Sequence, residues 1–148
     1  MIKILFVCHG NICRSPMAQY IFQYLVDSAG RHDDFYIDSA AVSSEEIGND
    51  IYPGAKRILD KYHIPYSRHR ARRMDRDDYD KYDYIIGMDQ SNLSRILYCV
   101  DSDPKGKCSL LLDWTDSPRN IKDPWYSDDF EGAYEDILMG CKALLEKL

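Results

Sequence analysis

The feature of this sequence best suited to chemistry is a short segment near the amino terminus that holds a cysteine and an arginine. Cys8 and Arg14 are separated by five residues, and a hydroxyl side chain, Ser15, follows the arginine directly. An apolar run, residues 2–7, precedes the segment, and Pro16 comes after it. The sequence therefore predicts a strand, a tight loop and a helix, with Ser15 as the N-cap and Pro16 at the first helical position.

A loop of this kind suits a tetrahedral oxyanion such as a phosphate group. Its backbone N–H groups point inward, and the N-terminus of the following helix adds positive potential. Arg14 adds a planar donor that can bind two oxygens at once. The same potential favours a thiolate over a thiol. We therefore predict a phosphate cradle with Cys8 as the nucleophile at its floor, lined by His9, Gly10, Asn11, Ile12, Cys13 and Ser15.

Two other interpretations of the cysteines are open. Cys8 and Cys13 could form half of a zinc site, but zinc needs two further ligands, and the remaining three cysteines are scattered singly. Cys8 could also be a buried cysteine at the end of a strand, without a chemical role. The nucleotide-binding motifs Gly-x-Gly-x-x-Gly and Gly-Lys-Ser/Thr do not occur, so a nucleotide-binding loop is not predicted.

Together with a second motif, Asp123-Pro124-Trp125-Tyr126, the cradle sequence resembles that of the low-molecular-weight protein-tyrosine phosphatases. Segments beginning at Asp38, His69 and Met88 also resemble that family, in the expected order, so that the resemblance spans essentially the whole chain. It implies hydrolysis of phosphotyrosine and small aryl phosphates through a phosphocysteine intermediate, with no metal and no cofactor.

The resemblance implies roles for residues around the cradle. Asp123 occupies the position of the family's general acid, so it is expected to protonate the phenolate and later to deprotonate the attacking water. Trp125 and Tyr126 are expected to form the aromatic walls of the substrate slot. Two residues depart from the family pattern: Glu45, where many members carry an aromatic, and His9, where an apolar residue is more common. We expect both to affect substrate preference and not catalysis.

Further residues are expected, from the same resemblance, to support the loop. Ser15 should form a hydrogen bond to the sulfur of Cys8, and Asn11 should adopt a left-handed conformation. Cys13 is expected to form a reversible disulfide with Cys8 that protects the nucleophile from oxidation. Its alternative role is that of a small apolar packing residue. The other supporting residues are Ser39, His69, Asp89 and Asn92.

Composition agrees with a single phosphatase domain over residues 1–148. The chain has 148 residues, 45% of them hydrophobic, which suffices for one core. Its net charge of −6 argues against nucleic acid and anionic membranes as partners. No signal-peptide pattern or membrane-spanning run occurs, and five cysteines without disulfide-like spacing suit the cytoplasm. We expect a cytoplasmic monomer whose partners are tyrosine-phosphorylated proteins.

Hydrophobic periodicity predicts alternating strands and helices. Strands are predicted at 2–7, 35–38, 84–88 and 108–112, and helices at 16–29, 53–62, 76–82, 92–99 and 128–148. This order predicts a single-domain, three-layer α/β fold with a four-stranded parallel sheet and helices on both faces. Ligands of such sheets bind beyond the carboxyl ends of the strands, where Cys8 falls. The long irregular stretch 113–127 is predicted to be a functional loop.

Two other functions remain as alternatives. A thioredoxin-coupled arsenate reductase of the same fold needs two further cysteines close together, whereas Cys99 and Cys108 are separated by eight residues. A module that binds phosphotyrosine without turnover would not need a proton donor. Cys8, Arg14 and Asp123 are all present, which favours the enzyme.

Overall fold

A four-stranded parallel sheet forms the centre of the molecule. The computed structural model describes all 148 residues, and the strands lie in the order β2-β1-β3-β4. The strands are β1 (Ile2–Cys8), β2 (Phe35–Ala41), β3 (Tyr84–Gly87) and β4 (Cys108–Leu110). Every neighbouring pair is parallel, as the sequence predicts.

Helices connect the strands and cover both faces of the sheet. They are α1 (Arg14–Ser28), α2 (Pro53–Lys61), α3 (Asp78–Lys81), α4 (Gln90–Val100), α5 (Pro124–Ser127) and α6 (Phe130–Lys147). Single 3-10 turns lie at His32–Asp34 and Leu111–Trp114. None of the helices combines the length and the apolar character needed to cross a bilayer. The predicted α/β architecture is confirmed.

Strand β1 is buried on both faces, which explains its continuous apolar sequence. Ile4 and Phe6 belong to the larger core cluster, which includes apolar residues of α1 and α6. Leu5 and Val7 belong to a smaller cluster on the other face, which includes residues of α4. All four side chains are fully buried, and burial of each contributes about 1.5–3 kcal/mol to stability. The strand is therefore a rigid support for the residue that ends it, Cys8.

The chain changes direction across the sheet at the end of β1. Strand β2 lies on one side of β1 and strand β3 on the other, so the connections that follow their carboxyl ends diverge and leave a crevice. Cys8 pairs with Ala41 and Val7 pairs with Gly87 at this edge. The nucleophile predicted from the sequence thus ends the central strand at the mouth of the crevice.

The start of α1 differs from the prediction. The helix begins at Arg14, with Cys13 at the N-cap position and no side-chain cap, so the prediction of Ser15 as N-cap is wrong. The hydroxyl of Ser15 is directed to partners in the loop instead. Pro16 is then the third helical residue. N–H groups in the first turn have no intrahelical acceptor, so a proline, which has no N–H, costs the helix no hydrogen bond there.

Several other boundaries also move: β2 continues to Ala41 instead of ending at residue 38, and α4 begins at Gln90 instead of at residue 92. Strand β4 ends at Leu110 because a 3-10 turn follows it immediately. Helix α6 begins at Phe130 and not at residue 128, since the carboxylate of Asp129 caps it by accepting a hydrogen bond from the Gly132 N–H at 2.9 Å. Asp128 has a left-handed backbone, with φ of 59°, and ends α5.

Candidate active site

A pocket opens at the carboxyl edge of the sheet. It is formed by the loop after β1, the segment after β2 and the start of α5. Its lining residues are Cys8, His9, Gly10, Ile12, Cys13, Arg14, Glu45, Glu46, Asp123, Trp125 and Tyr126. The three residues predicted to be catalytic therefore meet in one cavity, although Asp123 is distant in the sequence from Cys8 and Arg14.

The sulfur of Cys8 lies at the floor of the pocket and contacts two donors from Ser15. The Ser15 hydroxyl lies 3.1 Å from the sulfur, and the Ser15 backbone N–H points at it over 3.4 Å. Both groups can donate a hydrogen bond to the sulfur. Because α1 begins at Arg14, the Ser15 N–H is one of the first-turn amides that lack an intrahelical partner.

Asn11 holds the loop in shape with its side chain and its backbone. It has a left-handed backbone, with φ of 60°. Its amide nitrogen donates to the Ser15 and Ser39 hydroxyls at 2.8 and 2.9 Å. Its side-chain oxygen accepts from the backbone N–H of Arg72 at 3.2 Å, and its carbonyl accepts from Nε2 of His69 at 2.7 Å. An asparagine tolerates this conformation better than most residues, and these four contacts stabilise it.

His69 is a neutral donor. Its partner is a backbone carbonyl, which can only accept, so Nε2 carries the proton. Burial lowers the pKa of His69, because the charged ring loses its hydration. Its backbone N–H donates to Asp50 at 3.0 Å. The hydrogen bond from Lys56 lowers the pKa of Asp50 to about 2, so that carboxylate remains a charged acceptor.

Arg14 is buried and held by three oxygen atoms. Its Nη1 donates to Asp89 at 2.7 Å and to the carbonyl of Ile121 at 2.8 Å, while its Nη2 lies 3.4 Å from Asp123. Burial lowers the pKa of Arg14, but the charges of Cys8, Asp123 and Asp89 outweigh that effect and raise it overall. The guanidinium is a fixed cation in the same pocket as the sulfur of Cys8.

Asp89 and Asn92 connect this cation to helix α4. One oxygen of Asp89 accepts the N–H of Asn92 at 2.8 Å, and the other accepts from Arg14. The side-chain oxygen of Asn92 in turn accepts the backbone N–H groups of Met88 and Asp89, each at 3.1 Å. This reciprocal capping box fixes the position of Asp89, and through it the orientation of Arg14.

Asp123 lines the pocket as the N-cap of α5. Its carboxylate accepts the N–H of Trp125 at 3.0 Å and forms an ion pair with Nη2 of Arg14 at 3.4 Å. About a fifth of its side chain is exposed and Pro124 restricts the backbone beside it. A carboxyl group placed in this way can exchange protons both with solvent and with a group bound above Cys8.

The rim of the pocket is formed by exposed side chains. Trp125 and Tyr126 are 51% and 83% exposed, and Trp125 rests edge-on against Tyr52 with ring centroids 5.0 Å apart. On the other side, Nε2 of His9 lies 3.0 Å from a carboxylate oxygen of Glu45. The two residues that depart from the family pattern therefore contact each other at the mouth of the pocket.

The other cysteines are placed differently from Cys8. Cys13 is buried in the same pocket, and burial, reinforced by the charge of Cys8, raises its pKa. Cys99 and Cys108 pack against the smaller core cluster, whereas Cys8 belongs to the larger one. All five cysteines are free thiols. No three His, Cys, Asp or Glu side chains are grouped in a way that could hold a metal ion.

Sequence reasoning missed three contributors to the site. Glu46 lines the pocket beside Glu45, and Tyr52 supports Trp125 while its N–H donates to the Ile12 carbonyl at 2.9 Å. The carbonyl of Ile121 accepts from Arg14. Adjacency to Glu45 was an available signal for Glu46. Every residue has a backbone carbonyl, so the residue type at position 121 gives no indication that Ile121 binds Arg14.

Comparison with known proteins is consistent with this geometry. The family model for "Low molecular weight phosphotyrosine protein phosphatase" matches residues 3–148. The chain belongs to this family. It is 39% identical to the family member from Rattus norvegicus, over 98% of this chain and 94% of the rat protein. The resemblance stated from the motifs is confirmed.

Solved structures of phosphatases have the same fold. The crystal structure of YfkJ from Bacillus subtilis superposes with a TM-score of 0.96 at 36% identity, covering 99% of this chain and 94% of that one. The Drosophila arginine phosphatase superposes with a TM-score of 0.87 at 30% identity, covering 99% and 98% of the two chains. The fold of this phosphatase family thus accommodates proteins named for two different phosphorylated side chains.

Proposed function

We propose that this chain is a protein-tyrosine phosphatase that hydrolyses phosphotyrosine, and small aryl phosphates, through a phosphocysteine intermediate. The observation that carries the proposal is the convergence of a thiol, a buried guanidinium and a carboxyl group in one pocket, at Cys8, Arg14 and Asp123. Membership of the phosphatase family supports it. In this proposal residues 1–148 form one phosphatase domain.

In the first step the Cys8 thiolate attacks phosphorus. An S–P bond forms and the bond between phosphorus and the phenolic oxygen breaks. Asp123 donates a proton to the departing oxygen, because a phenolate, whose conjugate acid has a pKa of about 10, is a poor leaving group near neutral pH. Arg14 and the loop N–H groups stabilise the negative charge on the other three phosphate oxygens.

In the second step water attacks the phosphorus of phosphocysteine. Asp123, now a carboxylate, takes a proton from that water, the S–P bond breaks, and inorganic phosphate leaves. Ser15 stabilises the returning thiolate through its hydroxyl and its N–H, which lie 3.1 and 3.4 Å from the sulfur. The charge changes of both steps are handled by groups of the protein itself, so the proposed cycle uses no metal or other cofactor.

The depth of the pocket favours tyrosine. Cys8 is only 3% exposed, and Trp125 and Tyr126 stand at the rim. A long, flat phosphotyrosine side chain can reach the floor while its ring packs against these aromatic groups. Phosphoserine is too short to place its phosphate on the cradle without drawing the peptide backbone into the pocket.

The proposal includes a cytoplasmic monomer that acts on tyrosine-phosphorylated proteins. A thiolate nucleophile works only while it is reduced, and the cytoplasm maintains reduced thiols. The substrate class follows from the family to which the chain belongs.

The test is hydrolysis of an aryl phosphate in the presence of a metal chelator, with wild type and Cys8→Ser compared. We expect turnover that survives the chelator and disappears in the variant. Activity in Cys8→Ser, or activity that the chelator abolishes, would exclude the proposed cycle. A phosphotyrosine peptide and a phosphoarginine peptide of the same sequence should then be compared, with faster hydrolysis expected for phosphotyrosine.

A further inference from the structure

Three exposed arginines stand close together on one extended segment. We call residues 68–74 the arginine strap. Arg68, Arg70 and Arg73 are exposed, and none of them forms an ion pair within the chain. Arg72, on the same segment, is instead paired with Asp78 at 3.2 Å. The strap therefore presents three uncompensated cations on a chain whose net charge is −6.

Strand pairing places the strap close to the nucleophile. Cys8 pairs with Ala41 in the sheet, and Ala41 pairs in parallel with Arg73. The backbone of Arg73 is thus two strand spacings from that of Cys8, at the same level of the sheet. Two spacings amount to about 10 Å, which is within reach of a peptide bound at the pocket.

The strap is anchored along the outer side of the pocket wall. The wall segment, residues 44–49, contributes Glu45 and Glu46 to the pocket lining. On its other side, the N–H of Gly48 donates to the carbonyl of Ala71, and the N–H of Ala71 donates to the carbonyl of Asn49, each at 2.8 Å. Nη1 of Arg73 donates to the Ser44 hydroxyl at 2.9 Å. The strap is therefore joined to the wall segment that a peptide would cross if it left the pocket on this side.

No contact within the fold accounts for these three cations. All three side chains are exposed, so they do not contribute to the buried core. Only Arg73 makes a side-chain hydrogen bond, to the Ser44 hydroxyl. The strap is backed by firmly held structure, because its carbonyl and N–H groups bond to Ala41 at 2.7 and 2.8 Å. Exposed guanidinium groups on a firmly held backbone are well suited to bind carboxylates, which they can recognise in bidentate geometry.

We propose that the arginine strap docks an acidic segment of the tyrosine-phosphorylated substrate. An extended peptide advances 3.3–3.6 Å per residue, so about 10 Å corresponds to about three residues. The acidic residue that contacts the strap therefore lies about three positions from the phosphotyrosine. This inference rests on the proposed function and adds the charge pattern that the substrate carries.

The experiment uses a series of alanine-rich phosphotyrosine peptides, each with a single glutamate at a different distance from the phosphotyrosine. We expect kcat/KM to rise about two- to fivefold when the glutamate is about three positions away on one side, the gain that an exposed ion pair supports. The gain should fall at high salt, because exposed charges are screened. The double variant Arg70→Gln/Arg73→Gln should lose it.

The matched control is Arg57→Gln/Arg95→Gln, which removes two charges from exposed arginines on α2 and α4 that also lack ion pairs. It should retain the positional gain. A gain that persists in Arg70→Gln/Arg73→Gln, that is lost equally in the control, or that shows no dependence on position would overturn the docking proposal. Hydrolysis of an aryl phosphate, which cannot reach the strap, is measured in parallel. If the wild-type protein does not hydrolyse the aryl phosphate, the result contradicts the proposed phosphatase activity and not only the docking proposal.

Discussion

Polar side chains at the floor of the pocket have partners inside the protein, whereas those at its rim stand in solvent. Arg14 at the floor, and Asn11 and Ser15 in the loop behind it, are at most 1% exposed, and each makes two or more hydrogen bonds with other residues. At the rim, Tyr126 is 83% exposed and the side chain of Glu45 is 69% exposed, with one polar contact, to His9.

From this difference we expect the buried residues to determine turnover and the exposed rim residues to determine substrate preference. Removing one member of a buried network leaves other polar groups without partners, which costs about 1–3 kcal/mol for each, and disturbs the charges at the reacting atoms. An exposed rim residue contributes about 0.2–1 kcal/mol through a charge. Substitutions at the floor should therefore abolish turnover, and those at the rim should change the preference among substrates.

The largest effect is expected for Arg14. Lysine keeps the charge but cannot hold Asp89 and the Ile121 carbonyl while also binding two phosphate oxygens. Both Arg14→Lys and Arg14→Ala should lose nearly all turnover of an aryl phosphate, because the nucleophile and the guanidinium act as a unit. Steady-state kinetics measures this directly. If Arg14→Lys keeps activity within about tenfold of wild type, a positive charge alone suffices for catalysis, and the planar, bidentate geometry of the guanidinium is not needed.

Asp123 lies between floor and rim, and its effect should depend on the leaving group. Asp123→Ala should slow hydrolysis of a phenyl-type phosphate by roughly 10²–10⁴-fold, the range for loss of a general acid. A substrate whose leaving group is already a weak base should lose much less. The comparison of kcat for the two substrates measures the difference. Equal losses for both would remove Asp123 from the role of proton donor.

Cys13 is expected to protect Cys8 from irreversible oxidation. Peroxide converts an accessible thiolate to a sulfenic acid, which a neighbouring thiol can capture as a disulfide. Cys13 lines the same pocket as Cys8. Burial raises the pKa of Cys13, and the negative charge of Cys8 adds to the effect, so part of that effect disappears once Cys8 is oxidised to a neutral sulfenic acid. We expect a reversible disulfide between the two.

The measurement is recovery of activity by a dithiol after a pulse of peroxide. Wild type should regain most of its activity, while Cys13→Ser should regain little because its sulfenic acid proceeds to the irreversible sulfinic form. A matched control is Cys99→Ser, since Cys99 lies outside the pocket. The same recovery in wild type and Cys13→Ser would leave Cys13 as a packing residue.

His69 links the stability of the floor to pH. Burial lowers the pKa of His69 below its ordinary value of about 6.5, so at lower pH the unfolded chain binds a proton that the folded chain does not. Its contribution to stability is therefore complete above about pH 6.5 and is lost as the pH falls through the folded-state pKa. The free energy of unfolding of wild type should drop between about pH 7.5 and about pH 5.

The control for this drop is His69→Gln, which does not titrate and can still donate to the Asn11 carbonyl. Another histidine works in the opposite sense, since the hydrogen bond to Asp27 raises the pKa of the exposed His32. Therefore only the difference between the pH profiles of wild type and His69→Gln reports on His69. Identical profiles from denaturant unfolding of wild type and variant would mean that His69 has no part in the pH dependence.

Local patterns in the sequence predicted the strands and the cradle, but not the contacts that orient them. Strand β1 and the cysteine that ends it are encoded in consecutive residues, so their placement required no tertiary information. The start of α1 was predicted wrongly because the Ser15 hydroxyl prefers Cys8 and Asn11, which become its neighbours only in the folded loop. Likewise, the support of Trp125 by Tyr52 joins residues far apart in the chain.

The smallest effect is expected at the rim, from Glu45. Its carboxylate stands at the mouth of the pocket beside His9, where it faces the residues directly adjacent to the phosphotyrosine. Peptides with a basic residue at these adjacent positions should be hydrolysed faster than peptides with an acidic one, by about two- to fivefold in kcat/KM. This preference concerns the nearest neighbours, whereas the arginine strap acts on residues farther along the peptide.

Two substitutions separate the charge of Glu45 from its shape. Glu45→Gln removes the charge but keeps an oxygen that His9 can bind, so it should abolish the preference while leaving aryl phosphate hydrolysis similar to wild type. Glu45→Trp should weaken the preference too, and its ring adds an apolar wall that lowers KM for phosphotyrosine peptides. If wild type favours acidic adjacent residues, or if Glu45→Gln keeps the basic preference, then Glu45 does not select the substrate by charge. The first of these outcomes would make the unpaired arginines behind Glu45 the dominant charge that the peptide meets, because only cations favour an acidic neighbour.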